Sequence, residues 1–483
     1  MEAEAIVRIR PALTHYLHQY DDCFGRRTAR RHINTYVEGQ LGPLSRKSLE
    51  PMADAAGVPP RDLQQFLSLY RWDESAMRDR CQQLVAARHA HRQSVGLLDE
   101  TSFVKKGNQT ACVQRQHCGA AGKTENCVVS VHLGYATPDF HTLLDGELYL
   151  PKETWHEDRQ RCRAAGIPDD LVYRPKWLIG LEQIQRARRN GLFLEWMTFD
   201  EGYGGKPPFL RALDAMGQKY VGEVPSDFRL WTRRPELLYR QHAGRTGHLR
   251  KFPRLKAKNN PPVEVRHIAR YSPLFRSDDW QTYHVKDGHK GPMVWKAKRL
   301  CVWLRDEDGL PTQPHHLIVA YNVLEPETVK YFLSNAPQNT SVETLLLVAF
   351  SRWKIERIFE DGKGELGLDH FEVRKYQSIR RHLILSCVSY LFLAEFHQAH
   401  KKKSRTDGLP GTDCDGQPAG SLDRRRPMHA SSGPTHLPDI GSHATPQCRC
   451  RTQPPQANHS AIALARTEIE GYDSLRLESL VAL

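Results

Sequence analysis

The sequence predicts an α/β protein in which a β-sheet lies between helical segments. Apolar residues recur every three or four positions before residue 92 and again from about 340 to 400, a spacing typical of amphipathic helices. Between these segments, short apolar runs rich in Val, Thr and aromatic residues are bounded by Gly, Pro and charged clusters, which predicts strands. Over 404–483 Pro, Gly, Ser, His and Arg dominate, which predicts a largely disordered tail.

The first segment, residues 1–92, is predicted to be a helical domain. Leu63, Phe66, Leu67 and Tyr70 share one helix face. Basic residues interrupt the faces, and four of them lie close together: Arg26, Arg27, Arg30 and Arg31. Such basic ridges suit contact with a DNA backbone, but they equally fit the solvated face of a small helical bundle.

The central β-rich part divides into a core segment over 93–205 and a second segment over 206–340. The runs GLLDETSF, TACVQRQH and ENCVVSVHLGYA predict three consecutive antiparallel strands, and LFLEWMTF predicts a further short strand after a basic helical stretch. The second segment alternates strand-like runs such as KYVGEVP and HHLIVAYNVL with Pro and Gly. Helical periodicity then returns over 341–403.

Composition limits the class of protein. The 483-residue chain carries a net charge of +13, which favours a polyanionic partner but also fits a merely basic soluble protein. The 11 cysteines form no C-x-x-C pair, so buried reduced thiols are expected rather than a structural zinc site. Because neither an 18-residue apolar run nor a signal-peptide core is present, we expect a cytoplasmic protein without a membrane partner.

Three acidic residues stand out by their context. Asp99 and Asp200 follow apolar strand-like runs, so each is expected at a strand end, where a carboxylate can project into a cleft. Glu356 lies on a predicted helix, with Arg352 and Lys363 on the same face. Glu100 and Glu201 adjoin the two aspartates, and a shift of one position would exchange the faces of a strand.

Phosphodiester cleavage gives such a set a chemical purpose. Two Mg²⁺ ions can activate a water molecule and stabilise the leaving oxygen, and carboxylates are the hard oxygen ligands that Mg²⁺ prefers. Taken singly, however, an aspartate after a strand is more often a turn or cap residue. A glutamate between Arg and Lys on a helix is usually part of a surface ion pair.

At these residues the sequence resembles bacterial insertion-sequence transposases of the DDE superfamily, in the branch marked by a Tyr-Arg-Glu-Lys signature. Arg352, Glu356 and Lys363 have the spacing of that signature, while Ala349 stands at its Tyr position. The segments LLDETSFVKKG and FDEGYG are similar to the first-Asp and second-Asp segments of the family. The resemblance covers about residues 20–400 and not the tail.

The resemblance implies a ribonuclease-H-like mixed sheet, with Asp99 on its first strand, Asp200 on its fourth and Glu356 on a helix. It implies that 206–340 is a β-rich insertion and that 341–403 returns to the core. Asp99, Asp200 and Glu356 would be the catalytic metal ligands for Mg²⁺ or Mn²⁺, with two ions expected. Arg352, Lys363, Lys105 and Lys106 would contact DNA.

The function that the resemblance implies is transposition: metal-dependent cleavage at the element ends, followed by strand transfer to target DNA. The partners would be double-stranded DNA, as terminal inverted repeats and target, and a second copy of the chain in a synaptic complex. A nucleoid-associated location is expected. A catalytically inactive, transposase-derived DNA-binding protein and a host ribonuclease-H-like nuclease are the alternative functions.

Overall fold

A computed structural model describes residues 9–240, 249–257, 260–288 and 291–406. Most of the predicted disordered tail lies outside these residues, although the last helix of the described ranges continues through Thr406, past the predicted tail boundary at 404. The strands are β1 Val95–Val104, β2 Gln114–Cys118, β3 Lys123–Ala136, β4 His141–Leu148, β5 Trp196–Phe199, β6 Tyr220–Glu223, β7 Arg229–Leu230, β8 Leu237–Arg240, β9 Leu249–Leu255, β10 Val263–Glu264, β11 Gln281–Gly288, β12 Gly291–Arg305, β13 Pro311–Asn322 and β14 Val329–Ser334.

Helices surround these strands. The α-helices are α1 Ile9–Leu17, α2 Arg27–Leu41, α3 Leu49–Ala55, α4 Pro60–Ser68, α5 Glu74–Arg88, α6 Arg159–Ala164, α7 Lys176–Arg189, α8 Glu201–Gly204, α9 Pro207–Ala215, α10 Val265–Tyr271, α11 Pro273–Arg276, α12 Val342–Phe350, α13 Trp353–Leu366 and α14 Tyr376–Thr406. No helix in the described ranges has the length and apolar character needed to cross a membrane. The eight cysteines of these ranges are free thiols, as predicted.

The core sheet has the ribonuclease-H-like arrangement that the sequence predicts. β1 pairs antiparallel with β3, and β3 pairs antiparallel with β4 along one half and with β2 along the other. On its other side β1 pairs parallel with β5, which pairs parallel with β6. The three predicted strands are present, but they are not three successive antiparallel neighbours as predicted: β3 lies between β1 and β2 and pairs antiparallel with both. With the parallel pairs added, the sheet is mixed.

The β-rich insertion extends this sheet instead of standing apart from it. β14 pairs with β6, and β13, β12 and β11 follow in order, which makes a ten-stranded sheet. The remaining insertion strands form two small two-stranded sheets. The first part of the predicted insertion belongs to the core, because α9 and β6 lie within it. The domain boundaries given above remain predictions.

Each face of the core sheet is covered by a different helix. Leu98 packs against Gly180 of α7, so closely that a Cβ atom added to Gly180 would lie 2.6 Å from the Leu98 Cδ2 atom. Leu97 faces α13 with its cross-strand partner Gly134, whose missing side chain lets Ile355 approach closely. Because side chains alternate along a strand, odd-numbered residues of β1 face α13 and even-numbered residues face α7.

The N-terminal helices pack on α14 and share one hydrophobic core with the sheet. Buried polar contacts cross this junction: the Tyr16 hydroxyl donates to the Val388 carbonyl at 2.9 Å, and the Tyr36 hydroxyl lies 2.7 Å from His382 Nδ1. Lys47 is buried and donates two hydrogen bonds from its amine. One goes to the Gln40 carbonyl at the C-terminal end of α2, at 2.7 Å, and the other to the Glu365 carbonyl at the C-terminal end of α13. The far end of α13 is thereby fixed to the N-terminal helices.

A buried histidine under α13 should make the stability of the fold depend on pH. His132 is fully buried between the Ser130 hydroxyl and the Asp145 carbonyl, and burial lowers the pKa of His132 from 6.5 to about 4. Between pH 6.5 and 4 the unfolded chain therefore binds a proton at His132 that the folded chain does not. The free energy of unfolding is unaffected by this residue above pH 6.5 and decreases as the pH falls below it. We expect a loss of about 2 kcal/mol between pH 7 and pH 5 from this residue.

Urea unfolding of the wild type and of His132→Asn at both pH values measures this contribution. The His132→Asn variant should lose less stability on acidification by about the same 2 kcal/mol, whatever its stability at pH 7. Equal losses in the two proteins would contradict the assignment.

Candidate active site

Two aspartates lie side by side on the parallel strands. The last paired residues of β1 and β5 are Leu98 and Phe199, so Asp99 and Asp200 occupy the next position on each strand. Asp99 is not at the end of its strand as predicted: β1 continues to Val104 because its pairing with β3 continues. The pairing of β1 with β5 does end at Leu98, and this opens the sheet beside Asp99.

Asp200 caps the short helix that follows β5. Its Oδ1 atom accepts hydrogen bonds from the backbone N–H groups of Gly202, at 3.0 Å, and Tyr203, at 3.3 Å. Both bonds go to the same oxygen, so the cap orients the carboxylate while Oδ2 is directed elsewhere. Asp200 therefore has the structural role expected of an aspartate after a strand, and it retains an oxygen for a ligand.

Glu356 is brought to the same place by α13. Ile355 and Ile358 are fully buried against the sheet, each worth roughly 1.5–3 kcal/mol of burial. A Cβ at Gly134 would lie 2.8 Å from the Ile355 Cδ1 atom, so this glycine allows the close approach of helix and sheet. Glu356, next to Ile355 in the first turn, then projects toward the rim of the cleft with its side chain 62% exposed.

The Arg352 guanidinium joins these groups. Its Nη1 atom donates to Asp99 Oδ2 at 2.9 Å, and its Nη2 atom donates to Glu356 Oε1 at 2.8 Å. Residues more than 250 positions apart are thus linked through one cation. The spacing of Arg352 and Glu356 predicted their shared helix face, whereas the bond to Asp99 could not be read from the sequence.

The pKa values of Asp99 and Asp200 are raised because the two carboxylates are buried close together. Burial and the nearby Asp200 carboxylate raise the pKa of Asp99 to about 7, against the opposing effect of Arg352. Burial also raises the pKa of Asp200. Burial lowers the pKa of Arg352, but the carboxylates around it, with Asp99 and Glu356 first, raise it by more. Two carboxylates facing each other in this way favour a bound cation.

The two neighbouring glutamates lie differently. Glu100 is on the opposite face of β1, where it pairs with Lys176 of α7 and accepts from the Tyr203 hydroxyl at 3.4 Å. Glu201 is exposed at the start of α8. The alternation of side chains along β1 thus puts Asp99, and not Glu100, on the face of Glu356.

A further carboxylate, Glu223, was missed in the sequence. The parallel pairing of β5 with β6 ends at Phe199 and Gly222. Glu223 therefore lies beside Asp200, as Asp200 lies beside Asp99, and the three carboxylates form a row across neighbouring strands. The available signal was the segment YVGE, in which an acidic residue ends an apolar run just as in GLLD and MTFD. Glu223 is also one of the carboxylates that raise the pKa of Arg352.

The lysines predicted to contact DNA lie away from the carboxylates. Lys105 is half-buried, donates to the Phe371 carbonyl at 2.6 Å and lies 3.5 Å from the centre of the Phe371 ring. Burial lowers its pKa to about 8. Lys363 is also half-buried, 6.0 Å from the centre of the Phe103 ring, while Lys106 is exposed. Their contact with DNA remains a prediction, for which Lys106 is the most accessible.

The donor atoms of the site suit a divalent metal ion. Carboxylate oxygens are the ligands that Mg²⁺ and Mn²⁺ accept. Asp99, Asp200 and Glu356 each have a carboxylate near Arg352. In the described part of the chain, no three His, Cys, Asp or Glu side chains form a metal-binding group as they stand. In the structure Arg352 is hydrogen-bonded to both Asp99 and Glu356.

Comparisons with known proteins agree with the geometry. A family model described as DDE superfamily endonuclease matches residues 19–292, which include Asp99 and Asp200 and end before Glu356. A protein of Microchaete diplosiphon, named a probable transposase for insertion sequence element IS701, is 29% identical over 207 residues. This match covers 42% of the chain and 50% of that protein, so the chain spans about half the length of the curated relative.

Proposed function

The chain belongs to the DDE superfamily of endonucleases, and from this premise we propose that it is the transposase of an insertion sequence. It would cut DNA at the ends of its element and join the freed 3′-hydroxyl to target DNA. The observation that carries the proposal is the meeting of Asp99, Asp200 and Glu356 around Arg352. These are the residues of the proposed catalytic triad.

Endonucleases of this superfamily use divalent metal ions, and we propose that Asp99, Asp200 and Glu356 hold Mg²⁺ or Mn²⁺, with two ions in the full site. When bound, such ions supply a more acidic water molecule and charge stabilisation at the leaving oxygen. The protein itself contributes rigidity: Asp99 is fixed within a paired strand and Asp200 by its hydrogen bonds to the backbone of α8. A site on such elements holds its geometry better than a loop would.

The cations of the site have a separate role in this proposal. Arg352 offers a planar fork of donors that suits a DNA phosphate. Lys363, Lys105 and Lys106 are weaker candidates for contact with the DNA backbone. Exposed arginines on α2 and its cap, Arg26, Arg27 and Arg31, make the N-terminal helices the candidate surface for the terminal repeats. We further propose that two copies act together at the paired ends.

A cleavage assay with the full chain tests this function. Duplex DNA carrying the sequences that flank its own gene should be cut at the element ends in Mg²⁺ or Mn²⁺ and left intact with EDTA. The matched control is the same DNA with scrambled ends, which should be bound more weakly and not cut. End-specific binding without cutting in any divalent ion would instead support the inactive DNA-binding protein, and cutting in EDTA would overturn the metal site.

A further inference from the structure

Glu223 forms a third position in a row of carboxylates. On three neighbouring parallel strands, Asp99, Asp200 and Glu223 each come directly after the residue at which the parallel pairing ends. Because residues paired across parallel strands point to the same side, all three side chains lie on the face of α13. A Cβ at Gly204 would lie 1.8 Å from the Glu223 carbonyl oxygen, so α8 and the end of β6 are in tight contact.

A lysine from the insertion holds Glu223 in place. Lys330 of β14 donates to both oxygens of the Glu223 carboxylate, at 2.7 and 2.8 Å. The Glu223 side chain is 16% exposed, so this pair is shielded from water more than a surface ion pair. The backbone adds a further link, because the Val224 N–H donates to the Tyr331 carbonyl at 2.8 Å. The insertion thereby supplies the cation that neutralises this carboxylate of the core sheet.

Arg352 is close enough to Glu223 to interact with its charge, but its hydrogen bonds go to other carboxylates. Its two hydrogen bonds go to Asp99 and Glu356, while Asp200 and Glu223 act on it through charge alone. Those hydrogen bonds use carboxylate oxygens that a divalent ion would need. A guanidinium cannot stay on the same oxygens beside a doubly charged cation without strong repulsion.

We propose that Glu223 is a positioning residue that draws Arg352 away from Asp99 and Glu356 when a divalent cation engages those carboxylates. The inference rests on the proposed function, since it takes Asp99, Asp200 and Glu356 as the metal ligands. Glu223 provides an acceptor in the same row, with Lys330 keeping its carboxylate in position. Arg352 then remains near the site as a donor for the DNA phosphate.

Titration of the full-length protein with Mn²⁺ by isothermal calorimetry, without DNA, tests the inference. In Glu223→Gln, Arg352 loses its second acceptor and competes with the metal, so we expect Mn²⁺ affinity to fall about tenfold. In Arg352→Gln this competitor is absent, so adding Glu223→Gln to it should leave Mn²⁺ affinity within about twofold. Glutamine has the shape of Glu223 and can still accept from Lys330. In place of Arg352 it is a shorter, uncharged polar side chain.

Glu201→Gln is the matched control, because it removes one negative charge beside Asp200 without touching Arg352. We expect its Mn²⁺ affinity to match that of the wild type. If Glu223→Gln weakens binding equally with and without Arg352, Glu223 acts as a metal ligand or through its field, and the inference is overturned. An unchanged affinity in Glu223→Gln also overturns it. Failure of the wild type itself to bind Mn²⁺ would refute the proposed function instead.

Discussion

Replacing Asp200 with asparagine is expected to abolish DNA cleavage while leaving the fold intact. Asparagine caps helices about as well as aspartate, so Oδ1 of the new side chain can still accept from the N–H groups of Gly202 and Tyr203. The negative charge that would bind a metal ion is lost, however. Since such an ion contributes several kcal/mol to the transition state, we expect the cleavage rate in Mg²⁺ to fall by about a thousandfold or more.

Glu201→Gln separates this effect from a general change in charge. Glu201 is the next residue and is exposed, and we expect its variant to cut DNA at a rate within about twofold of the wild type. Thermal unfolding should show a midpoint no lower than that of the wild type for either variant, because burial disfavours the charge that Asp200→Asn removes. Cutting by Asp200→Asn together with loss of cutting in Glu201→Gln would move the site by one residue.

The second large effect concerns stability and lies at the sheet edge, on β4. Asp145 is completely buried, and its Oδ2 atom accepts from Arg186 Nη1 at 2.5 Å, while Arg78 Nη1 lies 3.9 Å from Oδ1. Asp145→Ala leaves two arginines without this partner in a region shielded from water. Removing one partner of a buried ion pair costs about 3–5 kcal/mol, and we expect a loss of that size in chemical denaturation.

An exposed ion pair provides the comparison. Asp169 is 63% exposed and accepts from Arg163 Nε at 2.9 Å, so Asp169→Ala should cost less than about 1 kcal/mol. Both substitutions remove one aspartate paired with arginine, and they differ chiefly in burial. A loss in Asp145→Ala no greater than that in Asp169→Ala would show that the β4 ion pairs do not stabilise the fold.

The sequence predicted the local elements of the site because their signals are local. Apolar runs identified β1, β3 and β5, and a spacing of three and four residues identified α13 with Arg352 and Glu356 on one face. The position of Asp99 within its strand was wrong, because β1 is extended by pairing with β3, 23–41 residues away in the chain. Hydrophobic pattern alone does not show where one partner strand ends and another continues.

Long-range pairing accounts for what the sequence did not show. Glu223 enters the row of carboxylates only through the register of β6 on β5, and β14 brings Lys330 to it from more than a hundred positions away. The junction of the insertion with the core sheet was unpredictable for the same reason. Lys105 was predicted as a DNA contact from its place in a motif, whereas its amine is engaged by the Phe371 carbonyl.

The packing of the N-terminal helices on α14 has a consequence for the protein during its synthesis. The helices α1 and α2 emerge from the ribosome first, but Tyr16 and Tyr36 reach their partners Val388 and His382 only after that part of α14 has been made. At elongation rates of about 5–20 residues per second this interval is on the order of tens of seconds. Nascent chains therefore keep this surface of α1 and α2 uncovered over that interval, and the N-terminal helices complete their packing only when α14 has been made.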